Sequence, residues 1–190
     1  MRIERCPVGI HAAVVGLLLS FASACHAARV ADPVAAAEDF LGAFYSWDAA
    51  RLASLLEPGE DADRVLYYQA WARAADYRVQ TRHPCQRKTE SSMECAVTVT
   101  DDFGRTLGYT ATDTFRLEVG GGRIVAVAFE GDDPPIFQEV FDWMMADRPE
   151  VFSGPCRDLF AGGDSPADCA RAVVQGAKDY LSSGRKDAQP

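Results

Sequence analysis

Histidine is scarce in this chain: three in 190 residues, with His11 and His26 in the N-terminal segment and His83 alone in the body. That scarcity, and the lack of any CxxC pair, make a zinc centre a poor reading. There is no GxGxxG, no P-loop and no HExxH, so the sequence implies no cofactor and no metal. No serine or cysteine is paired with a base in a way that suggests nucleophilic chemistry. Internal repeats and low-complexity stretches are absent too. Positive charge is in deficit, with 19 Lys and Arg against 28 Asp and Glu and a formal net charge of −9. An acidic surface is repelled by nucleic acid and by anionic membranes, and solubility alone accounts for it.

Long apolar runs are also missing. Ala12 to Phe21 (AAVVGLLLSF) is too short to span a bilayer stably. With Arg2 and Arg5 before it and small residues after it, residues 1–27 have the layout of a secretory signal cleaved after Ala27. The alternative is that Ala22-Ser23-Ala24-Cys25 is similar to a bacterial lipobox, with Cys25 lipidated and the protein held at a membrane by that lipid alone. Either route is an export route, to a secreted or periplasmic site. Cys85, Cys95, Cys156 and Cys169 then remain, an even number in an oxidising compartment, so two disulfides are expected.

What is present is strong periodicity. Asp32-Pro33 is an N-cap followed by a first-position proline, and Phe40, Leu41, Phe44 and Tyr45 form a stripe at helical spacing. Asp48 caps a second short helix bearing Leu52, Leu55 and Leu56. A third is expected over about 62–75, with Val65, Leu66, Tyr68, Trp71 and Ala72 on its apolar side. From Tyr77 the period changes to two. The longest alternation is Leu107 to Val119, followed by Gly120-Gly121-Gly122 and a return strand to Phe129.

The registers can be set against each other. A turn centred on Glu90 puts Cys85 opposite Cys95 and His83 opposite Val97. One centred on Phe103 puts Val97 opposite Tyr109, and a three-glycine loop puts Asp113 opposite Phe129. All odd-numbered residues then share one face, the other face is polar with Ile124 the main exception, and a slip of one residue would flip a strand. Ile136 to Ala146 is a helix apolar over much of its surface, needing cover on two sides. Ser165-Pro166-Ala167-Asp168 opens a last helix carrying Cys169. The pairings expected are Cys85–Cys95, within a hairpin, and Cys156–Cys169, tying the last helix to the link before it.

The opening helix AAEDFLGAFYSWDAARLASLL and the hairpin LGYTATDTFRLEVGGGRIVAVAF, within Pro33 to Phe129, resemble the nuclear transport factor 2-like superfamily, which includes SnoaL-like and ketosteroid-isomerase-like proteins. The resemblance implies an α+β fold, with N-terminal helices packed on a strongly curved antiparallel sheet that forms a cone-shaped pocket. It carries no catalytic residue across position by position. The organisation expected is a signal over 1–27, the α+β domain over 28–146, a disulfide-tied helical extension over 147–182 and a polar tail over 183–190.

On these registers the concave face carries Thr81, His83, Tyr109 and Asp113 among Phe115, Phe129 and helix aromatics such as Trp71. A carboxylate so walled has its pKa raised, which is how a general base is made. Two functions follow. One is a non-catalytic module taking a small apolar ligand, a partner chain or a second copy of the chain over the concave face. The other is a cofactor-free isomerase or hydrolase with Asp113 as base. An isolated acid favours binding, and a second polar group within about 3 Å of Asp113 favours catalysis. If Asp113 is a desolvated pocket residue, its Asn and Leu variants are expected to melt no lower than wild type.

Overall fold

A computed structural model describes residues 32–157 and 166–184. The signal, Cys25 with its lipobox, the Ser165 cap and residues 185–190 lie outside the described residues. Three helices come first, each started by the chemistry of its first turn. The Asp32 carboxylate accepts from the Val34 N–H and opens α1 (Pro33–Tyr45), while Asp48 accepts from the Arg51 N–H and opens α2 (Ala49–Leu55). The third, α3 (Glu60–Ala74), starts two residues earlier than expected, with Glu60, Asp61 and Asp63 at its positive dipole end.

The strands are β1 (Arg78–Arg82), β2 (Gln86–Arg87), β3 (Ser92–Thr100), β4 (Ala111–Gly120) and β5 (Arg123–Gly131). They form one five-stranded antiparallel sheet in the order β1-β3-β4-β5, with β2 also on β3. The fold is therefore α+β. Odd positions of β3 and β4 are buried throughout, and this face meets α1 through Phe40, Phe44 and Phe115. Both expected disulfides, Cys85–Cys95 and Cys156–Cys169, are formed.

Three registers differ from expectation, each for a physical reason. Between Val79 and Thr81 a bulge inserts one residue, so Thr81 pairs with Thr98 and Arg82 with Val97. The His83 N–H then bonds the Ala96 carbonyl, and Thr81 and His83 fall on the opposite face from Asp113. Next, residues 101–108 are not a tight turn. Asp101 accepts from the Gly104 N–H at 2.6 Å and caps a helix, α4 (Asp102–Leu107), which Gly108 ends at φ 81°. The next strand thus begins at Ala111 rather than Leu107, and Val97 faces Asp113, not Tyr109.

Finally, the β4–β5 loop has two residues, Gly121 and Gly122, both at positive φ as a type I′ turn requires. Phe115 consequently faces Phe129, and Asp113 faces Gly131. A second bulge near this turn sends Ile124 inward and leaves Val125 47% exposed. That is why Ile124 broke the odd-numbered pattern.

Beyond the sheet come α5 (Pro135–Asp147), α6 (Pro149–Ser153) and α7 (Pro166–Ser182). They build a second apolar cluster from Phe103, Val140, Trp143, Met144, Val173 and Tyr180, and Trp71 of α3 packs against both clusters. The second cover that α5 needs is supplied by α6 and α7. At the closest approach Gly176 gives Met144 its space, since a Cβ there would lie 2.1 Å from the Met144 sulfur.

Candidate functional site

A cavity of about 290 Å³ lies where the two clusters meet. From α3 come Tyr67, Tyr68 and Trp71, and Tyr77 follows on the link to β1. The sheet contributes Val99, Thr100, Ala111, Asp113 and Phe129. Asp101, Phe103 and Gly104 come from the start of α4, Tyr109 from the loop after it, and Asp133 from the loop after β5. Phe137 and Phe141 of α5, with Val173 of α7, complete the lining. The helical periodicity of α3 and α5 turns these rings inward. They meet in close pairs, Tyr68–Phe129 at 4.7 Å and Phe103–Phe137 at 5.8 Å between centroids.

Asp113 is 3% exposed, on the buried face of β4. Burial pushes its carboxyl up to about 7; the Tyr45 hydroxyl, donating to Oδ2 at 3.0 Å, opposes this, while Asp133, Asp101 and Asp132 add to it. Tyr45 itself is driven far upward by burial and by that carboxylate, so it stays a protonated donor. Behind it, the Gln69 amide donates to the Ala43 and Phe44 carbonyls, both at 3.0 Å, and fixes the end of α1.

Two further carboxylates line the cavity. Burial raises Asp101 to about 6, against the Gly104 N–H and Arg105. Asp133, in an exposed loop but with its carboxyl partly desolvated, is raised by that desolvation and by Asp132, and the Tyr109 hydroxyl interacts with it. The Asp132 carboxylate accepts from the Thr112 N–H, which clips this loop to the start of β4. The Tyr68 and Tyr77 hydroxyls are 2.9 Å apart and both are raised by burial. The Trp71 indole N–H is buried with no hydrogen-bond partner among the described residues. Nor, among the described residues, does any group of His, Cys, Asp and Glu have the arrangement to hold a metal ion.

Of the residues singled out from sequence, Asp113, Tyr109, Phe129 and Trp71 are in the cavity wall. Phe115 stands behind Phe129, 5.0 Å between centroids, and lines a second cavity between α3 and β5. His83 and Thr81 are not part of the site: the bulge turned both away, and His83 sits at the surface with Gln86 and Glu94. Sequence reasoning missed Asp101 and Asp133, which looked like turn residues, and Tyr45, whose stripe suggested core alone. The N-cap spacing from Asp101 to Gly104 was the available signal for the first. No family model matches this chain, and no curated protein matches it either.

Proposed function

We propose that this protein binds a small, largely apolar organic molecule in the aromatic-walled cavity, with Asp113 as the buried polar anchor. The observation that carries this reading is the Asp113 carboxylate, 3% exposed, in the wall of a mainly aromatic space of about 290 Å³ that Asp101 and Asp133 also line. A cavity lined by rings recovers apolar area from a ligand, and a few fixed polar groups orient it. The resemblance to the nuclear transport factor 2-like superfamily is part of the same proposal: helices lie across one face of an antiparallel sheet, and the cavity would be the cone's interior. So is export to a secreted or periplasmic site, supported by two disulfides; among the described residues no helix is long and apolar enough to cross a membrane.

A second reading has a specific observation behind it. Asp113 titrates near neutrality, and Tyr45 lies 3.0 Å from it, so the acid is poised for proton transfer in a cofactor-free isomerase or hydrolase. Against it, the Tyr45 hydroxyl is spent on the carboxylate and Tyr45 does not line the cavity, so no donor is left over from that pair to stabilise an oxyanion. Binding is the better supported of the two.

Native mass spectrometry of the protein purified from its own host tests the reading, followed by ligand-observed and amide NMR with small aromatic probes. A retained molecule, or probe-induced shifts at Trp71, Asp113 and Phe129, is the expected result. A folded protein carrying nothing, with no shift at those residues for any probe, would overturn it.

A further inference from the structure

We propose that the ligand is an organic cation: an aromatic or apolar body carrying an amine or quaternary ammonium group. This rests on the binding reading above and names the chemistry of its ligand. Two independent features of the cavity point the same way. The first is its rings: Tyr68, Trp71, Phe129 and Phe137 present π faces and edges around one space, and ring faces attract a desolvated cation. The second is its charge. Asp101, Asp113 and Asp133 all line the space, and among the described residues no Lys, Arg or His does.

An anionic ligand would be repelled by three acidic side chains, and a neutral one would gain no charge–charge attraction from them. A cation satisfies both the rings and the acids. Metal ions do not compete for the role, because no set of ligating side chains among the described residues is arranged to hold one.

The charge balance sets a pH dependence. Around Asp113 stand the hydroxyls of Tyr45, Tyr68, Tyr77 and Tyr109, all neutral donors. The other acids acting on it are Asp101, Asp132 and Asp133. Two guanidinium groups act on this set from outside the cavity, and both are engaged elsewhere. Arg82 is paired with Glu38, and Arg105 with Asp76 and Asp102. Mutual repulsion and burial hold the carboxyls partly protonated in the empty cavity, so a bound cation draws protons off them. By linkage, cation affinity rises with pH through the range near 6 to 7.

The test compares three probes of matched shape by calorimetry: phenyltrimethylammonium, its neutral isostere tert-butylbenzene, and benzenesulfonate. At pH 8 the cation is expected to bind about tenfold or more tighter than the isostere, with no binding of the sulfonate. That preference should shrink towards pH 5 and vanish in Asp113→Asn/Asp133→Asn, whose folding is checked by circular dichroism. Asp133→Asn alone, at an exposed loop position, supplies a partial loss should the double variant unfold. Equal binding of cation and isostere at pH 8, binding of the sulfonate, or a preference untouched by the variants would each overturn the cation while leaving a binding cavity. No binding of any probe by folded protein would overturn both.

Discussion

Asparagine at position 113 keeps the shape of the side chain and removes its charge, so it isolates what burying that charge costs. An acid at an ordinary 3.8 in the unfolded chain and about 7 in the folded one corresponds to about 4 kcal/mol. The sign follows from proton counts. Between those two values the folded protein holds a proton that the unfolded chain has released, so stability falls as pH rises and levels off above about 7. Below pH 4 both states are protonated and the cost is absent. In Asp113→Asn the fall is removed, and Tyr45 still donates to the amide oxygen. The new NH₂ group needs partners of its own, which offsets about 1–3 kcal/mol of the gain. Asn should therefore melt a few degrees above wild type at pH 8, at about 2–4 °C per kcal/mol for a chain of this size, and a few degrees below it at pH 4. Paired thermal melts by circular dichroism from pH 4 to 8 measure this. A gap between the two proteins that does not change with pH would refute a buried, raised Asp113. The leucine variant comes out differently from its expectation on sequence alone. Leucine strands the Tyr45 hydroxyl 3.0 Å away, at a cost of about 1–3 kcal/mol, so at pH 4, where there is no charging cost to relieve, Asp113→Leu should melt below wild type.

Gly176→Ala pits helix propensity, a gain of about 1 kcal/mol, against a Cβ placed 2.1 Å from the sulfur of fully buried Met144. Overpacking should win, and a lowered melting temperature checks it; no change would mean that α5 and α7 can part freely. Reducing the Cys156–Cys169 link releases α7 and should cost about 2–3 kcal/mol, read as a lower urea midpoint for the double serine variant. Ending the chain at Ala146 removes α6 and α7 but no strand, so strand content by circular dichroism should persist while the melting temperature drops. Loss of the sheet signal would place α7 within the core that the sheet needs.

How much was legible follows from which physical signal each element depends on. Helices α1 and α2 announce themselves locally, through a capping aspartate and an apolar stripe, and both were read correctly. The parity of β3 and β4 was equally clear, because burying one face of a strand fixes which residues must be apolar. Exact pairing was not. Each bulge costs the sequence one residue of phase and leaves no mark in composition, so Thr81 and His83 were assigned to the wrong face and Ile124 appeared as an exception.

The misreading of α4 and the incomplete reading of the site are the same error. Treating residues 101–104 as a turn made Asp101 and Asp102 loop charges and ran the long strand back to Leu107, which put Tyr109 on the sheet. As a helix, the segment buries Asp101 at its N-cap, brings Phe103 into the cavity wall and lifts Tyr109 off the sheet towards Asp133. The register then moves four residues, placing Asp113 opposite Val97 rather than Tyr109. Parity survives any even shift, so the buried acid was found, but its neighbours were not. The three carboxylates lie far apart in sequence, at 101, 113 and 133, and only the combined path of α4, β4 and the loop after β5 makes them one site.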